Sequence, residues 1–213
     1  MPGHHFSFQR YLQQHMSLYI FVSVLFVMGV IFGAFMVNAL TFEQQQSMAQ
    51  YLNSFFQTVV QGLDGAGPQS FVELLSSHFK WVLLILIFGL SIVGLPLILI
   101  IDFLKGVLIG FSIGYLVGQF SWKGLFFAFI SVAPHNIIVI PVMLISSVAA
   151  ISFSMYLIRS LIMRKKSVEV RPFKSYLVTH LSLFGLLVCA ALIQYTIIPH
   201  LLEWAAPIML ETS

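Results

Sequence analysis

The sequence predicts an all-α, polytopic membrane bundle, with a kinked or re-entrant segment and amphipathic helices outside the bilayer. Three observations carry this expectation. Only 8% of the 213 residues are charged and 59% are apolar, whereas a soluble domain carries about 25% charged residues. The apolar residues fall in runs of about twenty, the length that crosses a hydrocarbon core of about 30 Å. The basic residues cluster beside one apolar run, a pattern of membrane topology, so the net charge of +3 does not point to nucleic acid.

The chain reads as a single membrane domain over 1–213. Its first predicted span runs from Ser17 to about Leu40. Arg10 before it and Val37-Asn38-Ala39 after it resemble a signal peptide with its cleavage site. The apolar stretch is longer than the roughly 7–15 residues of a signal core, so we expect a retained anchor. A polar stretch, 41–80, leads to a second span at 81–101, interrupted by Gly94 and Pro96. Asp102 and Lys105 mark an expected tight turn before a third span at 106–120, and Gln119 to Lys123 forms the next loop. Segment 124–162 is too long for one straight crossing, since at ~1.5 Å per residue it reaches nearly twice the hydrocarbon thickness. A break near Pro134 is expected, giving either a half-helix that enters and returns or a kinked helix that overshoots. Pro141 is a second helix-disturbing position. The last span is 175–198, stopped by Pro199.

Charge bias orients these five spans. With the N-terminus inside, Arg10, Lys105, Arg159, Arg164, Lys165, Lys166, Arg171 and Lys174 lie on the cytoplasmic side, leaving Lys80 and Lys123 outside. That imbalance satisfies the positive-inside rule and puts the C-terminus outside.

The outer segment 41–80 reads as a helical hairpin. Met48, Tyr51, Leu52, Phe55, Phe56 and Val59 recur at three- and four-residue steps, opposite Gln50, Asn53, Ser54 and Gln57, which describes an amphipathic helix. Thr41-x-x-Gln44 opens it as a capping box. Asp64-Gly-Ala-Gly-Pro68 breaks the chain, and Ser70-x-x-Glu73 caps a second helix that runs into the span at Trp81. Such a hairpin either rests on the bundle or offers Tyr51, Phe55, Phe56 and Val59 to an extracytoplasmic partner.

Gly106, Gly110, Gly114 and Gly118 recur every fourth residue, a stripe that lets another backbone approach closely. Gly29 and Gly33 form a shorter copy. Packing within the chain is the simpler expectation, and a homodimer is the alternative. Charged residues within the spans are few, and the pair Asp102 and Lys105 is explained by a turn at the interface. His135 and Asn136, between Pro134 and Pro141, can satisfy carbonyls freed by the proline. No cofactor, metal or catalytic constellation is expected, because one histidine with no nearby Cys, Asp or Glu cannot hold zinc. His78 and His180 belong to opposite interfaces. Cys189 reads as a small buried hydrophobe.

Ser17–Gly33, Phe88-Gly-Leu-Ser-Ile-Val-Gly-Leu-Pro96, Phe103-Leu-Lys-Gly-Val107 with Gly110-Phe111, and Pro134-His-Asn-Ile-Ile-Val-Ile-Pro141 resemble, in order and over most of the chain, the stage II sporulation protein M family. The resemblance implies a non-enzymatic scaffold of the mother-cell membrane during engulfment. Its implied partners are protein P, a peptidoglycan amidase and endopeptidase, and protein D, a lytic transglycosylase. It implies a bacterial cell-membrane location at the septum. A Pro-His-Gly-x-x-Glu-x-Pro pattern occurs in the wider superfamily. Pro134, His135 and Pro141 match it, but Asn136 and Val139 replace its Gly and Glu, which leaves an ion or proton role of distant relatives without support here. The alternative function is a small solute or ion transporter or channel, its path lined by His135 and Asn136 with Asp102 at the cytoplasmic end.

Overall fold

A computed structural model describes residues 5–61, 70–91, 93–162 and 170–210, with side chains omitted at 5–14, 161–172 and 209–210. The break at 64–68 and the basic residues 164–166 lie outside the described residues. The described elements are all helical: α1 (His5–Met36), a 3-10 turn (Val37–Ala39), α2 (Phe42–Val60), α3 (Phe71–Gly89), α4 (Gly94–Ile162) and α5 (Val170–Leu210). Four helices are long and apolar enough to cross a membrane. One of these, α4, folds back on itself, so five membrane-length rods result.

The fold-back is at Ser121, whose φ of 50° and ψ of −125° interrupt α4. Asp102 bonds to Ser147 across it, and Ile98 shares a buried cluster with Ile151. The residues 94–120 and 122–162 are therefore antiparallel arms. The second arm is the central rod of the bundle.

The glycine stripe explains how the first arm meets α1. A Cβ on Gly106 would strike the Phe26 carbonyl, one on Gly110 the Val30 carbonyl, and one on Gly114 would come within 2.9 Å of the Ala34 Cα. Gly29 and Gly33 are pressed in the same way against Phe103 and Val107. The two helices run parallel with backbones in contact, gaining dispersion contacts that lipid tails cannot match. The stripe is thus filled within the chain.

Three boundaries differ from the sequence reading. The turn between the second and third rods is at 90–93, and Asp102 and Lys105 lie inside α4. Phe71–Gly89 is itself long enough to span, and Pro96 falls in the first turn of α4, where its missing N–H costs no hydrogen bond. Neither Pro134 nor Pro141 breaks the second arm. The side chains of Ser131 and Asn136 donate to the carbonyls of Phe127 and Val132 in the turns around Pro134, beside the Ile130 carbonyl that the proline itself leaves without its i−4 partner. Segment 124–162 is the overshooting helix, not a re-entrant one. Likewise α5 continues through Pro199, because its last turns are held by packing of Leu202, Ala205 and Ala206. Cys189 is exposed on the outer face of α5.

Two stability predictions follow from this geometry. Gly110→Ala should lower resistance to SDS denaturation by ~1–3 kcal/mol through overpacking. Gly118→Ala, where the nearest atom is 3.9 Å from the new Cβ, should change it by less than about 0.5 kcal/mol. Ser121→Gly should raise resistance by about 1 kcal/mol by relieving the positive φ, measured in the same titration.

Candidate functional site

Two regions concentrate the sequence-predicted residues. At one end of the bundle, here called the cap, α2 is anchored across the tip of the α4 hairpin. Its capping box forms as the sequence indicates: the Thr41 N–H donates to Gln44 Oε1 at 3.0 Å and the Gln44 N–H to Thr41 Oγ1 at 3.4 Å. Phe56 is fully buried, edge-on to Phe120 and Phe127 at 5.8 and 5.1 Å. Phe55 and Val59 pack half-buried against the same cluster, which includes Ala205 and Ala206 of α5. The Tyr115 hydroxyl donates to the Gln45 carbonyl at 3.1 Å, and Lys123 Nζ to the Ile208 carbonyl at 3.4 Å. The apolar face of α2 thus meets its own bundle. Of the four residues expected to meet a partner, Phe56 has no surface to offer, and Tyr51, 75% exposed, is the open one.

Beside Tyr51 runs a cleft of ≈ 380 Å³, lined by Ser47, Met48 and Leu52 of α2 and by Phe111, Tyr115 and Phe127 of α4. Phe42, Trp122 and Trp204 are also exposed at this end, and Trp204 packs on Phe126 at 5.9 Å. Tryptophans of this kind sit at the membrane–water boundary.

The second region is the interior of the bundle, which holds two polar layers. Near the cap, His78 Nε2 donates to Gln194 Oε1 at 2.7 Å. Asn136 Nδ2 donates to the Val132 carbonyl and to His135 Nε2, which places the His135 ring proton on Nδ1. The His78 and His135 rings lie 5.8 Å apart, and His135 Nδ1 is buried without a partner. Toward the opposite end, the base, His180 Nδ1 donates to the Tyr176 carbonyl and Nε2 accepts from Ser146. The neighbouring Ser147 hydroxyl donates to Asp102 Oδ1 at 2.8 Å. Val82, Val139, Val142, Leu183 and Leu187 form a buried apolar cluster, and on α3, α4 and α5 alike they fall between the two polar layers. Lys105 lies over the Trp81 ring at 5.1 Å. It is directed to that ring and not to Asp102, so the two charges do not form an ion pair.

The family model for stage II sporulation protein M matches residues 22–197. The chain belongs to that family. Comparison with curated proteins and with solved structures returned no match. Membership makes it a membrane protein of a sporulation family, and the matched region contains α2, the glycine contact and both polar layers. The meeting of His78 with His135, and the burial of Asp102, escaped the sequence reading because each depends on contacts between distant segments. The usable signal was Gly94-Leu-Pro96, which marks a helix start better than Asp102 marks a turn. Pro134, His135, Asn136 and Pro141 do cluster on one helix, but as part of the upper layer and not as a break.

Phe56→Ala should lower stability in detergent by ~3–5 kcal/mol, the cost of an emptied aromatic site, and should open the cap to proteolysis at α2. Tyr176→Phe, removing a hydroxyl that donates to the Leu86 carbonyl at 2.7 Å, should cost ~0.5–1.5 kcal/mol. Chemical denaturation of the purified variants checks both.

Proposed function

We propose that this protein is a non-catalytic membrane scaffold that recruits and localises the peptidoglycan-degrading proteins P and D at the septal membrane during engulfment. Family membership supports the setting, and the observation that carries the docking surface is the open cleft beside Tyr51. Its volume falls in the range that accepts an anchoring side chain. Because α2 is fixed by Phe56 and by the capping box, the cleft walls are preorganised, and a partner binds without ordering them.

In this reading the N-terminus is cytoplasmic and the C-terminus extracytoplasmic, which the distribution of Lys and Arg along the sequence supports. The cap then faces the compartment where peptidoglycan is degraded. The contact surface is the exposed flanks of α2, with Tyr51 bordering the cleft and Phe42 on the opposite face of the first turn, in place of the buried Phe56 that the periodicity of α2 first suggests.

Tyr51→Ala combined with Phe42→Ala should weaken co-purification with proteins P and D about tenfold or more, as expected for aromatic anchors, with denaturation resistance unchanged. Undiminished recovery of both proteins by a folded double variant would move the docking surface elsewhere.

A further inference from the structure

We propose that Asp102 is a proton-binding site inside the membrane, in exchange with the base of the bundle and closed to the cap. Asp102 has no solvent exposure. Oδ1 accepts from Ser147, and Oδ2 is a buried oxygen without a hydrogen-bond partner. A carboxylate in this position costs a few kcal/mol unless it is paired. The titratable groups on the surrounding helices are His15 on α1, His78 on α3, Lys105 and His135 on α4, and Tyr176 and His180 on α5. The polar contact of Asp102 is the hydroxyl of Ser147. A proton on Oδ2 makes the group neutral and completes the valence left open there.

The hydroxyl groups around this oxygen lead toward the base. A cleft of ≈ 200 Å³ opens at the base, where His15, Ser152, Ser175, Tyr176 and Thr179 supply polar atoms. His180 directly follows Thr179 and bonds to Ser146, and Ser147 is the next residue. Hydroxyls and an imidazole, groups that both donate and accept, therefore occupy the helix positions between the cleft and the carboxyl, in two hydrogen-bonded pairs, His180 with Ser146 and Ser147 with Asp102. Toward the cap stand Lys105, one turn further along α4 and over the Trp81 ring, and the apolar cluster of Val82, Val139, Val142, Leu183 and Leu187. In the exchange, the Asp102 carboxyl gives its proton to water in the base cleft, leaving a carboxylate held by Ser147, and regains it from hydronium there.

Dicyclohexylcarbodiimide, a lipid-soluble reagent that reacts with protonated carboxyls, reads this state. The full chain is labelled in inverted and in right-side-out membrane vesicles, with acid buffer on one face and alkaline buffer on the other. Protease access to a terminal tag fixes the orientation, and mass spectrometry locates the adduct. The expected result is an adduct on Asp102 that rises several-fold whenever the base faces the acid side, in either vesicle type. Asp102→Asn, which keeps an acceptor for Ser147, should insert normally and lose the adduct at this position. Labelling that follows the pH at the cap, labelling indifferent to pH, or no adduct under any condition would overturn the proposal. Binding of proteins P and D plays no part in this readout, so its outcome is independent of the docking reading.

Discussion

Hydrocarbon offers no hydrogen bonds, and the architecture follows from that shortage. Every backbone N–H and C=O inside the membrane must find its partner within the protein, which leaves helices as the economical solution for a chain of this composition. Helices so satisfied have no hydrophobic reason to associate, since lipid is as apolar as they are. Association has to come from close packing and from polar contacts. The chain supplies both: glycines that bring α1 and the first arm of α4 backbone to backbone, and serine, histidine, asparagine and aspartate side chains distributed along the second arm and its neighbours.

What could be read from the sequence was local or periodic. The capping box at Thr41, the amphipathic α2 and the glycine stripe each depend on residues within a single helix, and each is present. The spans 81–101 and 106–120 were displaced because a charged pair looked like a turn. A charged residue in lipid is costly in isolation, but Ser147, 45 residues away, supplies a donor to Asp102, and no periodicity reports such a partner. The prolines at 134, 141 and 199 misled for a related reason. Each removes one bond from a helix, while the packing that holds the helix together comes from elsewhere in the chain.

The same division runs through the functional regions. The apolar face of α2 was legible, but its destination was not. An amphipathic stripe looks alike whether it meets another protein or its own bundle, and Phe56 decides the matter only through rings 64 and 71 residues further on. The inward choice removes the obvious sticky patch and leaves Tyr51 beside a firm groove. The polar interior was almost invisible beforehand, because its members are scattered over α3, α4 and α5 and are individually unremarkable.

The unequal arms of the α4 hairpin have a mechanical meaning. With 41 residues against 27, the longer arm measures ~61 Å against ~40 Å at the α-helical rise, so about two turns or more of it stand clear beyond the start of its companion. Phe127 near one extremity is clamped under α2, and Arg159 lies near the other. The lower part of this arm is held as well, by Phe173 and Tyr176 of α5 against Phe153 and by Ser154 on the Ser91 carbonyl. A stiff shaft gripped at both extremities keeps the two faces of the bundle at a fixed separation.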